Sequence, residues 1–179
     1  MEQILLRRAT EDDAAEILRI TKAAFELYAK EVRKRESIKA LFETIDDVKR
    51  DIADINVYVC EMDGEIIGSV RFRVLDKHIA YLSRFSMDPE VQNLGLGGLL
   101  LERVRLECIN MGIHAITLHT ASRMRSSVAF YLKNGYYIHS ITKSSDYIRA
   151  FMVNELVTMD ELFDYESVVT SGLSSAHRA

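Results

Sequence analysis

The chain has 179 residues, 48% of them hydrophobic and 28% charged, with 8 Gly, 1 Pro and a formal charge of −4. Such a make-up folds as one ordinary globular domain that needs no disulfide or metal to hold its core. It supplies no global basic field for nucleic acid, no apolar run long enough to cross a bilayer and no signal-peptide pattern, so the expectation is a cytoplasmic protein without a nucleic-acid or membrane partner.

Ile4-Leu5-Leu6 reads as a short strand. Thr10 followed by Glu11, Asp12 and Asp13 is a helix N-cap with acids in the first turn, where they complement the helix dipole. Ala14, Ile17, Leu18, Ala24, Phe25 and Tyr28 then recur on one helical stripe. Thr44 ahead of Asp46 and Asp47 caps a second helix, with Ile45, Val48 and Ile52 as its expected buried face. Residues 29–43 between the two are irregular. Their basic run holds Lys30, Arg33, Lys34, Arg35 and Lys39 interleaved with Glu31 and Glu36, which suits a solvated face better than a polyanion site.

A hairpin follows, Asn56 to Met62 and Glu65 to Leu75 joined by Asp63-Gly64, a favoured two-residue turn. Asp76-Lys77-His78 turns the chain into Ile79 to Met87, which stops at Asp88-Pro89 because proline cannot donate to a ladder. Beyond Gly95-Leu96-Gly97-Gly98 a helix carries Leu100, Val104, Cys108 and Met111 on one face and closes at Gly112. Ile113 to Thr120 reads as a strand, Ser126 to Asn134 as a helix ended by Gly135, and Tyr136 to Ile141 and Ile148 to Val157 as two more strands. Antiparallel hairpins early and alternating helices and strands late give an α/β sandwich around a mixed sheet. One domain over residues 1–165 and a flexible C-terminal tail over 166–179 are expected. Cys60 and Cys108 have no motif spacing and read as buried core residues.

The most informative stretch is Val91-Gln92-Asn93-Leu94-Gly95-Leu96-Gly97-Gly98, between a strand and an amphipathic helix. Glycines there open backbone conformations closed to other residues and bare the N–H groups of a helix N-terminus, where the dipole favours an anion such as a pyrophosphate. Leu100 stands three residues beyond Gly97, against a Rossmann fingerprint, and no Gly-Lys-Ser/Thr ending marks a Walker A loop.

Gln92-Asn93-Leu94-Gly95-Leu96-Gly97 resembles the Gln/Arg-x-x-Gly-x-Gly/Ala pattern of the GNAT superfamily, the acetyl-CoA-dependent N-acetyltransferases. Tyr81 to Glu90 is similar to that family's fourth strand, and Ala129-Phe130-Tyr131-Leu132-Lys133-Asn134-Gly135-Tyr136 to its aromatic-Tyr-x-x-x-Gly-aromatic signature. The likeness spans residues 3–157. It implies a mixed, mostly antiparallel sheet of about seven strands flanked by helices, with acetyl-CoA as co-substrate and no metal. It further implies transfer of the acetyl group to a primary amine of a small-molecule or peptide acceptor by direct attack in a ternary complex.

By the same resemblance, backbone groups near Phe85 and Met87 pair with the pantetheine like an added strand. N–H groups across Gln92, Asn93, Leu94, Gly95, Leu96, Gly97 and Gly98 hold the pyrophosphate. Tyr131 holds the position of the phenol that serves the departing thiolate. The glutamate that many relatives carry on the fourth strand is missing, Tyr81 and Ser83 standing there instead, and His78, His119 and Glu61 are open as substitutes. Met124 replaces an asparagine that many relatives turn towards the cofactor. The acceptor wall is expected from residues 29–44 and 142–148, and Arg84 reads more readily as a structural ion pair than as a carboxylate receptor. A non-catalytic acyl-CoA-binding or sensory module is the alternative on the same fold, and a homodimer through a sheet edge is compatible with it.

Overall fold

The computed structural model describes residues 3–91, 94–143 and 146–176. Among these residues the strands are β1 (Ile4–Arg8), β2 (Asn56–Met62), β3 (Glu65–Leu75), β4 (Ile79–Met87), β5 (Ala115–Ala121), β6 (Tyr137–Lys143) and β7 (Ile148–Glu155). They form one seven-stranded sheet in the order β1-β2-β3-β4-β5-β7-β6. Every neighbouring pair is antiparallel except β4 and β5. The mixed, mostly antiparallel sheet expected from the sequence is therefore the one that forms.

Alternation along the strands sends side chains to two apolar layers. On one face α3 (Leu96–Asn110) and α4 (Arg125–Lys133) bury Leu100, Val104, Cys108 and Tyr131 against Phe72, Leu82, Leu118 and Met152. On the other, α1 (Ala14–Val32) and α2 (Ile45–Asp54) bury Ile17, Ile20 and Val48 against Val57, Val59 and Ile66. Both cysteines are buried and free.

Local signals explain where the elements begin and end. Asp13 accepts the Thr10 backbone N–H at 2.7 Å and grips the Arg7 guanidinium through both carboxylate oxygens at 2.7 and 3.0 Å, so β1 is tied to the start of α1. Thr44 and Asp47 form the same reciprocal cap on α2. Asp63 and Gly64 both take positive φ, as the tight β2–β3 turn requires. Residues 33–43 are short 3₁₀ turns, and the basic run there is exposed, with Arg35 paired to Glu26.

Two expectations are corrected. Ile45, in the first turn of α2, is 44% exposed, and Val48 alone is fully buried on that helix. Residues 166–179 are not a flexible tail as far as they are described: α5 (Tyr165–Ala176) closes the second face of the sheet, with Tyr165, Val168 and Val169 on Leu75, Ile79, Phe151 and Val153. Tyr165, Val168, Val169 and Leu173 do recur at helical spacing, but the Ser and Gly between them make the segment read as a tail. The Tyr165 hydroxyl also donates to Glu155 Oε1 at 3.0 Å. Tyr165→Ala is expected to destabilise the protein by about 3 kcal/mol, the low end for emptying a buried aromatic site, in urea unfolding.

Candidate active site

The one parallel ladder is short. β4 and β5 pair at Ile79 with Ala115, Ala80 with Ile116 and Tyr81 with Thr117, and no further. On its other side β4 slips register against β3, Arg71 facing Ser83 while Ser69 faces Ser86, so β4 carries an extra residue at this point. Arg84, in that bulge, has φ of +51°. A bulge bends its strand and increases the local twist. Past Tyr81 the two strands therefore diverge, and a wedge opens between residues 82–87 and 118–121 with no ladder bonds across it.

An ion cluster holds the bulge. Glu43 Oε1 accepts from Arg84 Nε at 2.6 Å, and the same carboxylate accepts from Arg71 Nη1 and Nη2 at 3.2 and 3.0 Å. Arg71 also donates to Asp51 Oδ2 at 2.6 Å and is only 1% exposed. Residue 43 follows the irregular segment, Asp51 is on α2, and Arg71 and Arg84 are on β3 and β4, so one cluster ties that segment and α2 to the strained strand. Arg84 is thus a structural ion-pair partner.

On the α3 side of the wedge lie the residues the glycine motif pointed to. Gly95 takes φ of +81°, which a residue with a side chain adopts only under strain, and it turns the chain into α3. A Cβ on Gly97 would lie 3.2 Å from Phe85 Cζ and 3.3 Å from Phe130 Cζ, and one on Gly98 would lie 3.2 Å from Asn134 Oδ1. These two glycines let the helix N-terminus settle against β4 and α4. Leu94 and Gly95 are exposed and Leu96 is buried. Gln92 and Asn93 lie outside the described residues. Phe85 packs on Phe130 with ring centroids 5.2 Å apart and meets Tyr131 edge-on at 6.2 Å. Met87 is buried beside them. Tyr131 is 8% exposed; burial, then the nearby Tyr81 phenol, push its ionisation well up.

The opposite side of the wedge belongs to α1 and β7. The Tyr81 hydroxyl is hydrogen-bonded to His119 Nδ1 at 3.1 Å, at the point where the ladder ends. Burial, and secondarily the Arg149 charge, push the His119 imidazole down to about 4, so the ring is neutral near pH 7. Burial raises the Tyr28 and Tyr81 phenols. The Ala121 N–H donates to the Tyr28 hydroxyl at 2.7 Å, bracing the end of β5 from α1. Next to it opens a cavity of about 550 Å³ lined by Glu31, Val32, Arg33, Ala121, Arg123, Met124, Tyr147 and Ile148. The end of α1 and the β6–β7 hairpin, residues read from sequence as an acceptor wall, do meet here.

The other substitutes for the missing glutamate lie elsewhere. His78 stacks on His114 at the far end of β4, and Glu61 is paired with Arg7 at 3.0 Å on the outer strands. Only His119 reaches the wedge.

A family model described as "Acetyltransferase (GNAT) family" matches residues 18–136. The chain belongs to the GNAT acetyltransferase family. Solved members of this fold include the PaiA N-acetyltransferase of Thermoplasma acidophilum in complex with coenzyme A, 20% identical, with a TM-score of 0.75 over 86% of this chain and 99% of that one. YncA, a putative acetyltransferase of Salmonella typhimurium with its cofactor acetyl-CoA, is 21% identical with a TM-score of 0.68 over 91% and 99%. The ribosomal-protein-alanine N-acetyltransferase of Brucella melitensis is 20% identical with a TM-score of 0.67 over 85% and 99%. No curated protein sequence matches this one.

In this acetyltransferase domain the structure gathers Phe85, Met87, Leu96, Gly97, Gly98 and Tyr131 on one side of the wedge. The contacts of Glu43, Tyr28 and Arg149 were invisible in the sequence, because each acts through residues remote in the chain and none sits in a motif. Glu43→Ala leaves Arg71 with only Asp51 in a buried site, and is expected to cost about 3 kcal/mol in urea unfolding. Neutral His119 gives a pH test. Its folded value of about 4 is below the ordinary 6.5, so its stabilisation is complete above pH 6.5 and is lost as pH falls from 6.5 towards 4. The wild-type protein should lose about 3 kcal/mol more stability than His119→Gln between pH 7 and pH 4.

Proposed function

We propose that the protein transfers an acetyl group from acetyl-CoA to a primary amine within a ternary complex. What carries this reading is the meeting, at one wedge, of a bulged strand edge, a glycine-opened helix N-terminus and a buried phenol. Backbone groups of β4 near Phe85 and Met87 would pair with the pantetheine amides, and N–H groups from Asn93 to Gly98 would hold the pyrophosphate. A small amine would enter from the cavity between the end of α1 and the β6–β7 hairpin.

In the reaction the amine nitrogen bonds to the thioester carbonyl carbon, the carbon–sulfur bond breaks and sulfur takes up a proton. An ammonium gives up two of its three protons, one to sulfur and one to solvent, leaving a secondary amide and a thiol. With a lysine-like pKa of about 10.4, roughly one amine in a few thousand is neutral at pH 7. An imidazole near 4 is too weak a base to strip an ammonium, so His119 accepts a hydrogen bond from the entering amine rather than its proton. Tyr131 stays protonated throughout the working range, as its burial dictates, and its hydroxyl stabilises the departing thiolate by donating a hydrogen bond. Proton transfer to sulfur completes the step as the nitrogen returns a proton to the phenol.

Titration calorimetry with acetyl-CoA, followed by thiol release with a panel of amines, tests this. Micromolar binding with turnover is expected, and Tyr131→Phe should lower kcat by about a hundredfold while leaving acetyl-CoA affinity within a fewfold. Absence of acetyl-CoA binding overturns the reading; binding with no turnover of any amine would favour a non-catalytic acyl-CoA-binding module.

A further inference from the structure

The α1 face of the wedge holds a cation, Arg149, that has no ion pair among the described residues. Arg149 opens β7 opposite Ala121, and strand alternation places it on the same face as Phe151, which packs on His119. Both chain neighbours of this spot, Ala121 across the ladder and Ile148 before it, line the cavity. Arg149 is half-buried, and its Nε is fully buried with no hydrogen-bond partner among the described residues. The two arginines nearest the bulge are spoken for: Arg71 is paired with Glu43 and Asp51, and Arg84 with Glu43. Arg103 and Arg71 also have an orphaned Nε, yet each has an ion pair through another nitrogen. Arg149 has none among the described residues.

Among the described residues no carboxylate forms an ion pair with it. Tyr81 and His119, the groups that its field reaches, are both neutral near pH 7. At the rim of the cavity Glu31 is exposed and is outnumbered by Arg33 and Arg123. A guanidinium withdrawn from water without a partner is costly, and its planar fork matches the two oxygens of a carboxylate.

We infer that Arg149 receives the carboxylate of the acceptor, so that the substrate is a small amine that also bears a carboxylate, amino acids being the simplest such class. This rests on the acetyltransferase reading and adds the acceptor's chemistry to it. With its carboxylate on Arg149, the acceptor has its amine near the Tyr81–His119 pair at the mouth of the wedge. The same positive field disfavours the ammonium form of that amine, which raises the neutral fraction able to attack. It also repels a polycation, so a polyamine is a poor acceptor here.

The test uses the twenty L-amino acids and β-alanine, their primary amides, and spermidine, at saturating acetyl-CoA whose binding has first been measured by calorimetry. A carboxylate acceptor is expected to exceed its own amide in kcat/KM by tenfold or more, chiefly through KM. Arg149→Gln should bring that ratio to about one, and Arg149→Lys should restore part of it; thermal unfolding of each variant checks that it is folded. A purely structural Arg149 would lower both acceptors alike and leave the ratio unmoved. Loss of acetyl-CoA binding in the wild-type protein would defeat the acetyltransferase reading. Intact binding with amides or spermidine preferred, with no carboxylate turned over, or with an unmoved ratio in Arg149→Gln, would overturn the acceptor assignment alone.

Discussion

The carboxylate of Glu43 is the contact on which the site's shape depends. A residue at φ of +51° in the middle of a strand is strained by about 1 kcal/mol or more, and β4 keeps Arg84 there because Glu43 holds its guanidinium at 2.6 Å. Through Arg71 the same carboxylate reaches Asp51, so the bulge, the neighbouring strand and α2 are tied together. Without the bulge β4 would continue beside β5, the wedge would zip shut, and the backbone edge of residues 82–87 would be consumed by a ladder. Strain at one residue is thus what leaves a strand edge free for a ligand.

The two sides of the wedge are built on different physics. The α3 side is a packing problem: Phe85, Phe130 and Tyr131 crowd the spot where Gly97 brings the helix N-terminus in, and a methyl group there would press on two rings. The α1 side is an electrostatic one, with neutral phenols, a neutral imidazole and an unbalanced arginine. Tyr81 belongs to both, since its phenol bonds to His119 and acts on Tyr131. The two sides therefore meet at a hydroxyl on the last residue of β4 that still pairs with β5.

Much of the fold was legible along the chain because local chemistry sets it. Thr10 and Thr44 with their aspartates start helices, Asp63-Gly64 closes a hairpin, and the Gly95-Leu96-Gly97-Gly98 turn opens α3. The final helix was masked by its Ser-rich composition: its apolar residues Tyr165, Val168, Val169 and Leu173 have helical spacing, but what they pack on, Leu75, Ile79 and Phe151, is remote in the chain. The aromatic pair around Tyr131 was legible through its spacing to Gly135, whereas the three candidate replacements for the absent glutamate could be ranked only in space. His78 and His119 look alike in the sequence; one sits at the closed end of β4 and the other at the open end.

The sequence by itself determined the element order, the alternation of two apolar layers and the glycine-opened helix N-terminus, because each depends on residues within a few positions of one another. Tertiary structure alone decided that Arg84 is neutralised and Arg149 is not. Both are arginines on amphipathic strands, and the difference lies in whether a carboxylate from a distant segment reaches them: Glu43 crosses 41 residues of chain to Arg84, and no described residue does the same for Arg149.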